Sequence, residues 1–145
     1  MDRTTSSIPR VKAAVFDMFT AEEYEGDQPD ISYGRPRDMT REMLIVGDTS
    51  SSEQEWATLG DRQRQEDYDL EILCLVMTPG LTQQEATERC FQIFGAAETA
   101  LRTTPTLGVL GVSFAHIAIP RLSEGVLEQG YGAVIESAVR VSARI

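Results

Sequence analysis

The chain has 145 residues, 41% of them hydrophobic, and a net charge of −10 at pH 7. That length suits a single domain spanning residues 1–145, and a chain of this size can bury roughly 68–70% of its unfolded surface without staples. The charge is uneven: residues 1–71 hold 17 acids against 8 bases, and residues 72–145 hold 6 against 5. Holding nucleic acid requires lysines and arginines that displace counterions from phosphate, so this chain is not expected to grip DNA. An acidic surface past which DNA slides is compatible with it.

Met1–Ser7 is polar and expected to be frayed. Pro9 suits the first turn of a helix, and Val11, Ala14, Val15, Met18 and Phe19 recur at spacings of three and four, one apolar stripe that ends by Ala21–Glu23. An acidic loop, EEYEGDQPD, follows. Ile31–Pro36 reads as a short strand stopped by Gly34 and Pro36, and Arg41–Asp48 as a second strand. Between Thr49 and Arg64 lies a long polar connection whose large apolar groups are Trp56 and Leu59. It reads as a projecting loop or a hairpin arm joining neighbouring strands.

The third strand, Glu66–Met77, alternates clearly. Tyr68, Leu70, Ile72, Cys74 and Val76 share one face, while the other starts acidic at Asp67, Asp69 and Glu71 and turns apolar at Leu73 and Leu75. Pro79 and Gly80 break it. Thr82-Gln83-Gln84-Glu85 then forms a capping box, opening a helix to about Arg102 with Ala86, Cys90, Ile93, Phe94, Ala97 and Leu101 on one face. Such a helix is roughly 30 Å long and can lie along a ten-residue strand. A turn at Thr103–Gly108 leads to a strand over Gly111–Pro120 and a last one over Tyr131–Ile145. The order α-β-β-β-α-β-β predicts an α+β fold: a mainly antiparallel sheet of four or five strands with two helices on one face.

Chemistry is thinly represented. The strand-to-helix corner TPGLTQQE has one glycine and no base, whereas a phosphate loop needs several glycines and a lysine, so the corner reads as a structural cap. His116, placed by alternation on a face with Val112, Phe114 and Ala118, has no nucleophile or second histidine in its pattern. Glu22, Glu23, Glu25, Asp27 and Asp30 lack the alternating ligand spacing of an EF-hand and read as a solvated loop. Cys74 and Cys90 sit on apolar faces and read as buried thiols of a protein made in a reducing compartment. No h-region follows Met1 and no run of about 18 apolar residues occurs, which predicts a soluble product made in the cytoplasm. No catalytic, cofactor or metal site is expected.

Trp56 stands out as an indole on a polar segment near Leu59, Arg62 and Arg64, and tryptophan and arginine are enriched among interface hot spots. Read together, ISYGRP at Ile31–Pro36, WATLGDRQRQEDYDLEI at Trp56–Ile72, the helix TQQEATERCFQIF, TPTLG and the final VRVSARI resemble the tail terminator proteins of long-tailed bacteriophages. The resemblance spans most of residues 11–145. It implies a sheet backed by helices and a homo-oligomeric ring, usually of six, at the head-proximal end of the tail, in the neck of the virion. That ring stops growth of the tube, meets the tail tube protein and the head-completion protein, and lets DNA through its lumen without specific binding. Trp56, Leu59, Arg62, Arg64 and Tyr33 are the interface candidates on this reading. A head-closure or stopper protein is the nearest alternative, although the long Thr82–Arg102 helix argues against its usual small β-barrel. A small α+β ligand-binding domain is the second, but no glycine-rich ligand loop supports it.

Overall fold

The computed structural model describes residues 6–56, 64–127 and 130–144, with backbone alone at 51–56, Arg64, Ile119 and Leu127. The elements are α1 (Ile8–Ala21), β1 (Asp30–Tyr33), β2 (Glu42–Trp56), β3 (Arg64–Val76), α2 (Gln83–Thr103), β4 (Val112–Leu127) and β5 (Gly130–Arg144). The strands form one sheet in the order β1-β2-β3-β5-β4, antiparallel except for the β1–β2 pair. Both helices pack on the same face, and the α+β architecture matches the expectation from sequence.

The core lies between the helices and that face. Val11, Val15 and Phe19 of α1 and Ala86, Cys90, Ile93, Phe94, Ala97 and Leu101 of α2 are buried against the inward residues of β3 and β5. Strand β5 alternates as its sequence requires, with Ile135, Val139, Val141 and Ala143 fully covered. Thr82 caps α2 as predicted: its hydroxyl accepts from the Glu85 amide, and the Glu85 carboxylate accepts from the Thr82 amide.

Ser7, assigned to the frayed leader by its polarity, is instead fully buried. Its amide donates to Glu66 Oε1 at 2.8 Å and its hydroxyl to the same oxygen at 2.6 Å, while Oγ also shares a hydrogen bond with the Tyr68 hydroxyl at 2.9 Å. A carboxylate at a helix start complements the free amides and the dipole, so Glu66 of β3 fixes where α1 begins. Burial pushes the Tyr68 phenol up to about 12, against the opposing effect of its bond to Ser7.

Three strands differ from their predicted limits. β1 ends at Tyr33, before the glycine: Gly34 turns with φ +81°, and its amide donates to the Val46 carbonyl. Parallel neighbours ordinarily need a connection of about a dozen residues or more. The short return over residues 34–41 suffices because β1 is only four residues long. β2 continues through Trp56, well beyond Asp48, because β3 supplies hydrogen-bond partners to its polar half, with bulges between Val46 and Thr49 and between Ser50 and Glu53. β4 runs to Leu127 rather than Pro120, and a register shift at Pro120 lets an edge strand accommodate a residue that cannot donate.

The face assigned to His116 also changes. A bulge between Val112 and Phe114 inserts an extra residue and reverses the alternation. Val112 therefore faces the core, while Phe114 and His116 face away from the helices.

Candidate functional site

The helix-free face of the sheet carries most of the charge that the strands bring together. Down β3, Asp67, Asp69 and Glu71 stand opposite Ser142, Arg140 and Ala138 of β5. Arg140 Nε donates to Asp69 Oδ1 at 3.1 Å, and the Ser142 hydroxyl bonds to Asp67. Asp69 holds the Arg140 guanidinium above its ordinary range. Arg35, from the 34–41 return, lies 3.6 Å from Glu71. The return thus crosses this face, where Met43, Ile45 and Leu75 form a small second core. Glu71, Arg121, Glu136 and Arg140 rim a shallow depression in which acids and bases interleave. Interleaved charges of this kind cross-link strands; they leave no base poised against a nucleophile.

His116 is exposed beside Phe114, ring centroids 5.0 Å apart, and its cross-strand neighbour is Arg140. Among the described residues no acid is hydrogen-bonded to it. The Cys74 thiol donates to the Cys90 carbonyl at 3.5 Å and the Cys90 thiol to the Cys74 carbonyl at 3.3 Å. The neighbouring Cys90 thiol, and then burial, push the Cys74 thiol well above its usual range, so it packs as a small hydrophobe. Among the described residues, no group of three His, Cys, Asp or Glu side chains is placed to hold a metal. No described helix is long and apolar enough to cross a membrane.

The acidic loop after α1 is fastened down rather than simply solvated. Arg89 of α2 donates to both carboxylate oxygens of Glu42 at 2.7 and 3.0 Å and to the carbonyls of Glu25 and Asp27 at 2.5 and 2.6 Å. Gln92 adds a bond to Glu25, and Tyr24 is buried with its hydroxyl on the Phe19 carbonyl. The guanidinium occupies the place a cation would take among those carbonyls. Its hydrogen bonds to Glu42 raise the Arg89 pKa further.

The five interface candidates fall in different places. Trp56 and Arg64 are cross-strand partners at the end of the β2–β3 ladder, whereas Leu59 and Arg62 lie outside the described residues. Tyr33 is on β1 opposite Val46, ten residues from Trp56 along β2, or roughly 30 Å at strand rise. It is 52% exposed, packs edge-on against Phe16 and lies under the Lys12 ammonium at 4.5 Å. Tyr33 and the Trp56 backbone therefore lie far apart on the sheet.

Sequence reasoning missed the other exposed apolar groups. Phe91 on α2, Leu122 and Val126 on β4 and Tyr131 on β5 are all more than a third exposed, as is Met39 in the return after β1. Gly95 was the available signal: a glycine inside a helix weakens it, and a Cβ there would meet nothing within 4 Å.

No family model matches the chain, and no curated protein matches it. Among solved structures, it is similar to a chain from the virion of a native gene transfer agent particle. That similarity has a TM-score of 0.61 at 12% sequence identity and covers 98% of this chain and 100% of the other. The likeness is one of fold.

Proposed function

We propose that the chain is a structural protein of a phage-like virion, and specifically the terminator that caps the head-proximal end of the tail tube as a ring. The observation that carries this reading is the fold likeness, end to end in both chains, to a component of a gene transfer agent virion. The segments resembling tail terminators supply the finer assignment, and the charge of −10 suits a ring that passes DNA without holding it. Catalysis is not assigned, because the acids and bases of the open face neutralise one another and the buried thiols are inert.

On this reading the ring, of six copies as the resemblance implies, stops addition of tube subunits and offers its other side to the head-completion protein. The test is the length of tails in particles lacking the gene, imaged by negative stain. Overlong, headless tubes are expected. Tails of normal length beside leaking heads would assign the stopper role instead, and normal infectious virions would overturn a place in the neck altogether.

A further inference from the structure

The sequence holds two cysteines, and the fold brings them together. Cys74 is on β3 and Cys90 on α2, and both are fully buried. Their contacts are reciprocal. The Cys74 thiol donates to the Cys90 carbonyl at 3.5 Å, and the Cys90 thiol to the Cys74 carbonyl at 3.3 Å. Each sulfur thus reaches the main chain of the other residue, and the two thiols lie within hydrogen-bonding reach of one another. The Cys90 sulfur is also 3.8 Å from the Ala133 carbonyl, so it sits over the β3–β5 pair at the centre of the core.

A disulfide joins residues whose Cα atoms are about 4.4–6.8 Å apart and whose side chains converge. Crossed contacts between each sulfur and the other residue's carbonyl put the two backbones near that spacing. The movement left to make is a turn of the sulfurs about their Cα–Cβ bonds. Burial accounts for a small apolar side chain at each position, but not for two thiols that face each other. The pair also links two elements that are otherwise held together there by side-chain packing alone.

We propose that Cys74 and Cys90 form a latent disulfide site, open while the chain is made and assembled, and closed outside the cell by exchange with a low-molecular-weight disulfide. One cysteine, as its thiolate, attacks the small disulfide and displaces one of its thiolates, leaving a mixed disulfide. The second cysteine then attacks the sulfur of the first and displaces the other small thiolate. The two cysteine protons end on the two small thiolates, and two electrons pass to them from the protein sulfurs. The bond closes the loop from Cys74 to Cys90, 16 positions along the chain, and pins α2 to β3. Burial keeps both thiols inert while α2 is seated, so closure is slow and waits on local opening of the helix. An adduct does not fit the closed core, so the return of α2 favours the second step. The timing rests on the virion reading above; the bond itself rests on the two side chains.

Equilibration of the purified protein with reduced and oxidised glutathione tests it, once in buffer and once in urea that unfolds the chain. Intact mass after acid quenching separates the species: the internal disulfide is lighter by two hydrogens, and the adduct is heavier by one glutathione. Starting from both the reduced and the oxidised protein makes slow opening immaterial, because the same ratio must be reached from either side. The internal disulfide is expected to be roughly a hundredfold more favoured in the folded chain than in the unfolded one, as for a loop of this size. By linkage, the oxidised protein should melt roughly 6–12 °C higher than the reduced one. A ratio of one or less would overturn the site, as would a persistent glutathione adduct or disulfide-linked dimers in place of the internal bond. Such a ratio together with overlong tails in particles lacking the gene would sink the disulfide and leave the terminator reading standing. A hundredfold ratio with tails of normal length would do the reverse, removing the reading and its timing while the bond remained.

Discussion

Replacing Arg89 by alanine should destabilise the protein by about 3 kcal/mol. The side chains of Arg89 and Glu42 are only 14% and 16% exposed, and the guanidinium also satisfies the Glu25 and Asp27 carbonyls. Truncation leaves the Glu42 carboxylate without its partner in a place that water barely reaches. Breaking a buried ion pair from one side costs about 3–5 kcal/mol, and the remaining exposure puts this pair near the lower end. An exposed pair would lose only about 0–1 kcal/mol. Urea unfolding of the two proteins measures the difference directly. A corresponding fall in Tm of roughly 6–12 °C follows from the size of the chain. Hydrogen exchange should show the amides of residues 22–30 opening first, since their anchor is gone. A loss below about 1 kcal/mol would mean the pair behaves as a surface bridge, and the clamp would be refuted.

Two glycines should respond in opposite directions. Gly95→Ala should stabilise the folded monomer by about 1 kcal/mol, because a helix-interior Cβ there meets open space. Gly111→Ala should cost about 2 kcal/mol or more, since φ is +94° and a Cβ would sit 2.5 Å from the Arg144 carbonyl oxygen. Denaturant midpoints of the pair check both signs. Thr82→Ala should cost about 1 kcal/mol by removing one half of the capping box, again read from unfolding curves. The Glu85 carboxyl is held below its ordinary value of 4.5 by the Thr82 amide and then the Thr82 hydroxyl. The unfolded chain therefore takes up that proton first as the solution is acidified. The cap's pH-dependent stability is present above 4.5 and is lost as pH falls through the depressed folded value. Glu85→Gln should flatten that limb of the stability curve, and an unchanged acid limb would refute the assignment.

The elements legible in the sequence are those whose periodicity is uninterrupted. The stripe of α1, the capping box and apolar face of α2, and the alternation of β3 and β5 each involve residues a few positions apart, so local sterics and burial determine them. Helices on one face of a largely antiparallel sheet follow from their order, and the structure has that arrangement.

Tertiary contacts decided the rest. Thr49–Trp56 is too polar to announce a strand, and it is one because β3 lies alongside and completes its hydrogen bonds. His116 changes face because one inserted residue at the Val112–Phe114 bulge shifts the parity of the strand until the second register shift between Ala118 and Arg121, and alternation read along a single strand cannot register that shift. Ser7 and Glu66 are 59 positions apart, and Arg89 and Glu42 are 47 apart, so no local pattern links them. The neighbourhood of Phe91 with Leu122 and Val126 was equally invisible, because these residues come from separate elements and α2 is set beside β4 only by the tertiary packing. Local pattern determines which residues form a helix or strand; the pairing of distant strands determines which of their side chains are left facing a partner.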